Sequence, residues 1–309
     1  MIKPKALKLG DTIGIIAPSS PTTEEKVKKA HDKLIDMGFK VKMGKSPYKR
    51  YGYLSGNDNI RAEDINEMFN DKEVNGIICI RGGYGTPRII DLLDYEIIRN
   101  NPKVFVGYSD ITALHISFTQ IANLVTYHGP MVVSDMIDNF SDFSKDNLFR
   151  AIMNTEPMGK ISNPEGEEII TINGGIAEGR IIGGNLSLIV DTIGTPYEID
   201  VKGKILFIEE VGEEPYNIDR MLNQLRLSGK LQEANGIILG DFNGCESENP
   251  NENLTLEQVI NDQIKPIGKP TIYNLQAGHC DPMVTLPFGV NTRLDADKKE
   301  LIILESCTE

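Results

Sequence analysis

In Lys103-Val-Phe-Val-Gly-Tyr-Ser109-Asp-Ile-Thr-Ala-Leu114 a short apolar run stops at a glycine, a serine follows two residues later, and a helix-like stretch begins at once. That order lifts a hydroxyl onto a strand-to-helix turn, with backbone N–H groups of the new helix behind it that can hydrogen-bond the oxyanion of an acyl-transfer intermediate. The purely structural use of the same residues is a cap, with Ser109 or Asp110 satisfying free N–H groups at the helix start. A hydroxyl nucleophile also needs a base, and the chain has four histidines, His31, His115, His128 and His279. His31 lies in a lysine-rich helical stretch and reads as a solvated surface residue. His115 follows Ser109 by six residues on one helix, about 600° around and 9 Å along, so its ring points away and into the core. His128, ending a strand in Tyr127-His-Gly-Pro130, stands at the correct sheet edge and is the second candidate. His279 occupies Gln276-Ala-Gly-His-Cys-Asp-Pro282, a loop bounded by Gly and Pro after an apolar strand, and is the first candidate. An imidazole base needs a carboxylate to fix its tautomer. Glu209 and Glu210 end the apolar strand Lys204-Ile-Leu-Phe-Ile208, and because successive strand residues point to opposite faces, one of the two is expected to reach the site.

These groups must be positioned by a repeating βα pattern. In the first half, apolar runs alternate with helical periods: Thr12 to Ala17, then Glu24 to Met37; Lys40 to Met43; Asn59 to Asn70; Gly76 to Ile80; Val104 to Gly107; Leu124 to His128. A capping box, Thr22 with Glu25, is expected to start the first helix. Runs such as Ile13-Gly-Ile-Ile-Ala17 and Gly76-Ile-Ile-Cys-Ile80 are apolar on both faces, which marks a parallel sheet covered by helices on each side. Ligands of such sheets bind beyond the carboxyl ends of the strands, where Pro18-Ser-Ser-Pro21, Arg81-Gly-Gly-Tyr-Gly85 and Gly107-Tyr-Ser-Asp110 fall. The expected organisation is an N-terminal α/β domain over residues 1–155, a linker or rim hairpin over 156–172, and a smaller C-terminal domain over 173–309. Shorter strands in that last part, Gly179 to Ile182, Lys204 to Ile208, Gly236 to Leu239, Thr271 to Leu275 and Met283 to Leu286, suggest a mixed sheet or partly closed barrel. Helices near Tyr216 to Leu227 and Leu256 to Ile264 intervene, and a hairpin-like pair, Val290 to Leu294 and Glu300 to Leu304, ends the chain.

Composition narrows the function. A chain of 309 residues is long enough for two cores. A formal net charge of −13, from 32 basic and 45 acidic residues, repels phosphate backbones and anionic membranes, so neither nucleic acid nor membrane is expected as a partner. Cys79, Cys245, Cys280 and Cys307 are widely spaced, without the pairing of a zinc knuckle or disulfide scaffold. The first ten residues lack the apolar stretch of a signal peptide, and a cytoplasmic location is expected.

The ordered set of motifs resembles the LD-carboxypeptidases, or muramoyltetrapeptide carboxypeptidases, a family of serine peptidases that includes the microcin C self-immunity peptidases. The resemblance rests on Ile15-Ile-Ala-Pro-Ser19, Gly52-Tyr-Leu-Ser-Gly56 with Arg61-Ala-Glu-Asp64, Arg81-Gly-Gly-Tyr-Gly85, Gly107-Tyr-Ser-Asp110, His128-Gly-Pro-Met131 and Gly183-Gly-Asn-Leu186. It continues through Leu206-Phe-Ile-Glu-Glu210, Pro215-Tyr-Asn-Ile-Asp-Arg-Met-Leu222, Gly236 to Gly240, and Gly278-His279 with Thr285-Leu-Pro-Phe-Gly289. The resemblance implies a flavodoxin-like N-terminal domain and a triad of Ser109, Glu209 and His279. It also implies backbone oxyanion donors at Gly83 and Asp110, no cofactor or metal, and a homodimer. Where the family usually carries Glu-Asp this chain has Glu209-Glu210, and the first is the one carried over. The implied reaction is release of the terminal D-alanine from cytoplasmic murein tetrapeptides. Arg81 is a candidate to hold the substrate carboxylate, with Tyr84 and Asn185 lining the pocket. Two other readings are a microcin-type peptidase acting on a peptidyl or aminoacyl nucleotide, and a non-catalytic anion-binding module built on the glycine loop.

Overall fold

Gly76–Cys79 and Val104–Gly107 are buried at every position, as strands covered on both faces must be. The computed structural model describes every residue except Glu248, Pro250 and Asn251. Its strands are β1 (Thr12–Ile16), β2 (Lys40–Met43), β3 (Gly76–Cys79), β4 (Val104–Gly107), β5 (Thr126–His128), β6 (Pro157–Ile161), β7 (Ile170–Asn173), β8 (Ile176–Asn185), β9 (Ile205–Val211), β10 (Gly236–Asn243), β11 (Thr271–Tyr273), β12 (Leu286–Phe288), β13 (Asn291–Asp295) and β14 (Glu300–Ser306). The helices are α1 (Glu24–Asp36), α2 (Asp58–Asn70), α3 (Tyr95–Asn100), α4 (Thr112–Gln120), α5 (Asp142–Ile152), α6 (Leu186–Asp191), α7 (Pro215–Leu227), α8 (Lys230–Glu233) and α9 (Leu256–Gln263).

The first sheet has the order β2-β1-β3-β4-β5-β12, parallel from β2 to β5, with β12 antiparallel at the edge. The order 2-1-3-4-5 is that of flavodoxin-like doubly wound sheets. Side-chain alternation divides the strands between two cores: Ile13, Ile15, Val104 and Val106 join Val27, Ala30 and Leu34 of α1, while Ile16, Ile77, Cys79 and Phe105 join Ala62, Ile65, Met68 and Phe69 of α2. The α1 cap falls one residue later than the Thr22 capping box: the helix begins at Glu24, so Thr23 is the capping residue and its hydroxyl accepts from Lys26 N–H.

The second sheet has the order β6-β14-β13-β8-β9-β10-β11-β7, with β8 to β11 parallel and the flanking pairs antiparallel. It is open and mixed, and with eight strands is wider than the first. Residues 156–172, expected as a linker or rim hairpin, contribute to both of its edges through β6 and the start of β7. Edge strands pair through backbone groups and need no apolar period, and β7 (Ile-Thr-Ile-Asn) is nowhere fully buried. Conversely β12, from the second half, pairs with β5 of the first sheet. Val106 and Tyr127 share one apolar core with Phe207, Ile238 and Phe288, so side chains of both sheets interdigitate. Among the described residues no helix is long and apolar enough to cross a membrane.

Candidate active site

At the carboxyl end of β4 the chain turns sharply. Tyr108 is extended (φ −156°, ψ −170°), and Ser109 takes the left-handed conformation at φ 63°, one of four described non-glycine residues with positive φ. Such a conformation costs an L-residue about 1–3 kcal/mol and persists where the surrounding fold imposes it. A single 3₁₀ turn, Ser109–Ile111, leads into α4. Neither side chain acts as the expected cap: no cap bond closes either helical start, and among the described residues Ser109 Oγ has no hydrogen-bond partner. The buried Asp110 carboxylate instead reaches across to the neighbouring loops, accepting from Ser19 Oγ at 2.5 Å, Gly85 N–H at 3.1 Å and Thr86 N–H at 2.9 Å. Burial pushes the Asp110 carboxyl above its ordinary value, against the pull of these donors.

This clamp lays the glycine loop over the serine. A Cβ on Gly82 would sit 2.9 Å from Ser109 Cβ and 3.0 Å from its Oγ, a gap that admits only glycine without displacement. Gly83 follows in the same loop. Ser20 Oγ accepts from Tyr84 N–H at 3.3 Å, and the fully buried Arg61 guanidinium donates to Pro18 O at 2.5 Å and Gly85 O at 2.8 Å while pairing with Asp58. Arg61 and Asp110 are therefore the braces of this loop, and reasoning from motifs alone had not assigned them that work. The signal was present, because a charged residue in an otherwise helical core face must be paired. Replacing Asp110 by Ala strands three donors in the interior, each costing about 1–3 kcal/mol. Asp110→Ala is expected to lose at least about 3 kcal/mol of stability, read by thermal unfolding.

The other half of the site comes from the second sheet. Along β9, Ile205 and Phe207 face the core shared with the first sheet, whereas Leu206 and Ile208 face the core under α6 and α7. Period two then sends Glu209 toward the first sheet and Glu210 away. Glu209, fully buried, accepts from His279 Nδ1–H at 2.7 Å. Glu210 is held by Asn185 Nδ2 at 2.7 Å, Ser187 Oγ at 2.7 Å and Ser187 N–H at 2.9 Å. Burial disfavours the His279 imidazolium, but the hydrogen bond and charge of Glu209 outweigh it and hold the imidazole above its ordinary value. With Nδ1 protonated toward Glu209, Nε2 is the free acceptor nitrogen. The His279 ring packs edge-on to Tyr108, the residue before Ser109, with centroids 4.9 Å apart. Gly278 brings its loop against the carboxylate: at φ 118°, a Cβ there would lie 2.7 Å from Glu209 Oε2. Gly278→Ala is expected to displace that carboxylate, lowering kcat roughly 10²-fold and stability by about 1–3 kcal/mol, checked by steady-state kinetics and thermal melts.

The remaining candidates fall elsewhere. His128 is fully buried among Tyr108, Phe207 and Phe288, with neither ring nitrogen hydrogen-bonded, and burial drives its pKa well below the ordinary value. It is a neutral packing group, so the second-choice base is sealed away. His115 donates from Nε2 to Gly107 O at 2.8 Å, and burial lowers its pKa to about 4. His31 meets Asp32 on the surface of α1. Arg81 is half-buried and loosely tied to Gly82 O and Pro21 O at 3.3 and 3.4 Å. Tyr84 is 44% exposed and packs on the still more open Tyr53, with ring centroids 5.9 Å apart. Asn185 is buried with both ends of its amide engaged, by Glu210 and by Leu188 N–H, so its visible work is to hold Glu210 and cap α6 rather than to line a pocket. Among the described residues no group of three or more His, Cys, Asp or Glu side chains is arranged to hold a metal ion.

Comparison with known proteins agrees with this architecture. Residues 13–129 match the LD-carboxypeptidase N-terminal domain and residues 178–294 the LD-carboxypeptidase C-terminal domain. A probable murein peptide carboxypeptidase of Bacillus subtilis (strain 168) is 43% identical over 308 residues, covering 99% of this chain and 96% of the relative. The structure of MccF in complex with glutamyl sulfamoyl guanosine is similar with a TM-score of 0.92 at 25% identity, covering 100% of both chains. The crystal structure of muramoyltetrapeptide carboxypeptidase from Oxalobacter formigenes is similar with a TM-score of 0.83 at 28% identity, covering 94% of this chain and 97% of that one. The chain therefore belongs to the LD-carboxypeptidase family, carrying its two domains in order.

Proposed function

We propose that this protein is a serine-type LD-carboxypeptidase of the cytoplasm that releases the terminal D-alanine from murein tetrapeptides during cell-wall recycling. The observation that carries this reading is the 2.7 Å bond from a buried Glu209 to His279 Nδ1, with the imidazole packed on the residue preceding a left-handed serine. In the proposed reaction Ser109 Oγ attacks the carbonyl of the diamino acid and its proton passes to His279 Nε2. The backbone N–H groups of Gly83 and Asp110 receive the oxyanion, and among the described residues neither donates to another backbone carbonyl outside its own element. His279 returns the proton to the departing amine of D-alanine, leaving an ester on Ser109. Water, deprotonated by the same nitrogen, cleaves that ester and regenerates the hydroxyl. Arg81, loosely tethered at the loop edge, is positioned by sequence next to the oxyanion loop to meet the terminal carboxylate.

The test is mass spectrometry of products from murein tri-, tetra- and pentapeptides, with an aminoacyl nucleotide as a further substrate. D-Alanine release from the tetrapeptide is the expected result. Cleavage of the nucleotide alone would move the assignment to the microcin-type activity. No product from any substrate, with no labelling of Ser109 by a fluorophosphonate, would leave a binding module.

A further inference from the structure

The ring packed against His279 has its own anchor, outside the Ser, Glu and His set. The Tyr108 hydroxyl donates to Asp135 Oδ1 at 2.9 Å, and Asp135 Oδ2 accepts from Met131 N–H at 2.7 Å. Asp135 sits in a single π-helical turn, Val132–Met136, a conformation that is rare in proteins and concentrated at functional sites. Tyr108 thus touches three things at once: by its backbone the nucleophile turn, by its ring the imidazole supplied by the second sheet, and by its hydroxyl a carboxylate of the first half.

We propose that Tyr108 and Asp135 are positioning residues for the base, Asp135 locking the tyrosine ring that sets where the His279 imidazole stands relative to Ser109, and adding a negative charge from the first half to those that act on the imidazole. This rests on the reading of His279 as the base. Edge-to-face packing at 4.9 Å fixes a ring in two dimensions but not along the contact plane, and a tyrosine pinned at its far end supplies the missing constraint. The charge acts as well. The groups that act on His279 are Glu209 and Glu210 from β9, Asp241 from β10, Asp135 from the π turn and the neutral, buried His128 from β5; Asp281 of its own loop faces Asp135 in turn. Burial raises the Asp135 carboxyl to about 6, while His279 titrates above its ordinary value. In its ionised form Asp135 favours the imidazolium by charge.

The experiment pairs kinetics with NMR of the imidazole resonances, which is tractable with four histidines in the chain. Asp135→Asn keeps an acceptor for Tyr108 but removes the charge. It is expected to lower the His279 pKa, and with it the acid limb of kcat/KM, by roughly half a unit. Tyr108→Phe keeps the ring but cuts its anchor, and is expected to lower kcat roughly 10-fold to 10²-fold with KM nearly unchanged. The double variant is expected to show no kcat loss beyond that of Tyr108→Phe at the pH optimum, since without the tyrosine hydroxyl the linkage to residue 135 is already gone. If the His279 titration and the pH profile match the parent in both variants, and only the melting temperature falls, the pair is a structural brace and the proposal is overturned. The NMR titration is read in the Ser109→Ala background, where it reports on the pair even if tetrapeptide hydrolysis fails, so the two readings stand or fall separately.

Discussion

Under the proposed mechanism Ser109→Ala and His279→Ala are each expected to lower D-alanine release by about 10⁶-fold, the loss that follows when one member of a cooperating hydroxyl–imidazole–carboxylate set is removed. The fold should survive the serine change, because Ser109 Oγ supports no hydrogen bond among the described residues, and alanine tolerates φ 63° no worse than serine does. Ser109→Gly makes the point more sharply. Glycine relieves the left-handed strain, so that variant should be inactive and yet more stable than the parent by about 1 kcal/mol. Thermal melts beside a D-alanine assay measure both. A Ser109→Gly protein that melts below the parent would show that the turn carries no strain, and wild-type turnover in any of the three would remove the residue it replaces from the chemistry.

Glu209→Gln is the second large effect, with kcat falling roughly 10⁴-fold. The amide can present N–H rather than oxygen to His279 Nδ1, which favours the tautomer protonated on Nε2 and leaves no acceptor for the serine proton. The residual imidazole should also titrate lower, since the bond and charge that raise it are gone. For stability the sign follows from that raised value. The His279 contribution is complete below the ordinary imidazole pKa, about 6.5, and fades as pH rises through the raised folded value. The stability deficit of Glu209→Gln should therefore be larger at acid pH than at alkaline pH, measured by denaturant unfolding across the range. Glu210→Gln is the comparison: its carboxylate serves Asn185 and Ser187 and reaches His279 through charge alone, so it should lower stability while moving the pH profile much less than Glu209→Gln does.

Much of this arrangement is legible in local pattern. Apolar runs of both-face character mark β1, β3 and β4, and helical periods mark α1 and α2 almost to the residue. The glycine-serine turn after β4 is equally visible, because turn chemistry is local. Strands β6 and β7 were hidden, since their place at the sheet edges depends on backbone partners far away in the chain, Leu301↔Ile161 and Tyr273↔Ile170. The role of Asp110 was hidden as well: its carboxylate finds Ser19, Gly85 and Thr86 rather than the N–H groups of its own helix, a choice between acceptor sites that sequence spacing leaves open.

From residue types and period alone come the parallel first sheet, the elevated hydroxyl, and a short roster of histidines and glutamates able to serve it. Which histidine and which glutamate was a matter for packing. His128 and His279 both follow apolar strands, but one is walled in by Tyr108, Phe207 and Phe288 while the other keeps a bonded and a free nitrogen. Glu209 and Glu210 differ only in side of the strand, and the side acquires meaning only when the two sheets meet over a common core. Local chemistry writes the candidates; burial and register, which act between residues far apart in the chain, choose among them.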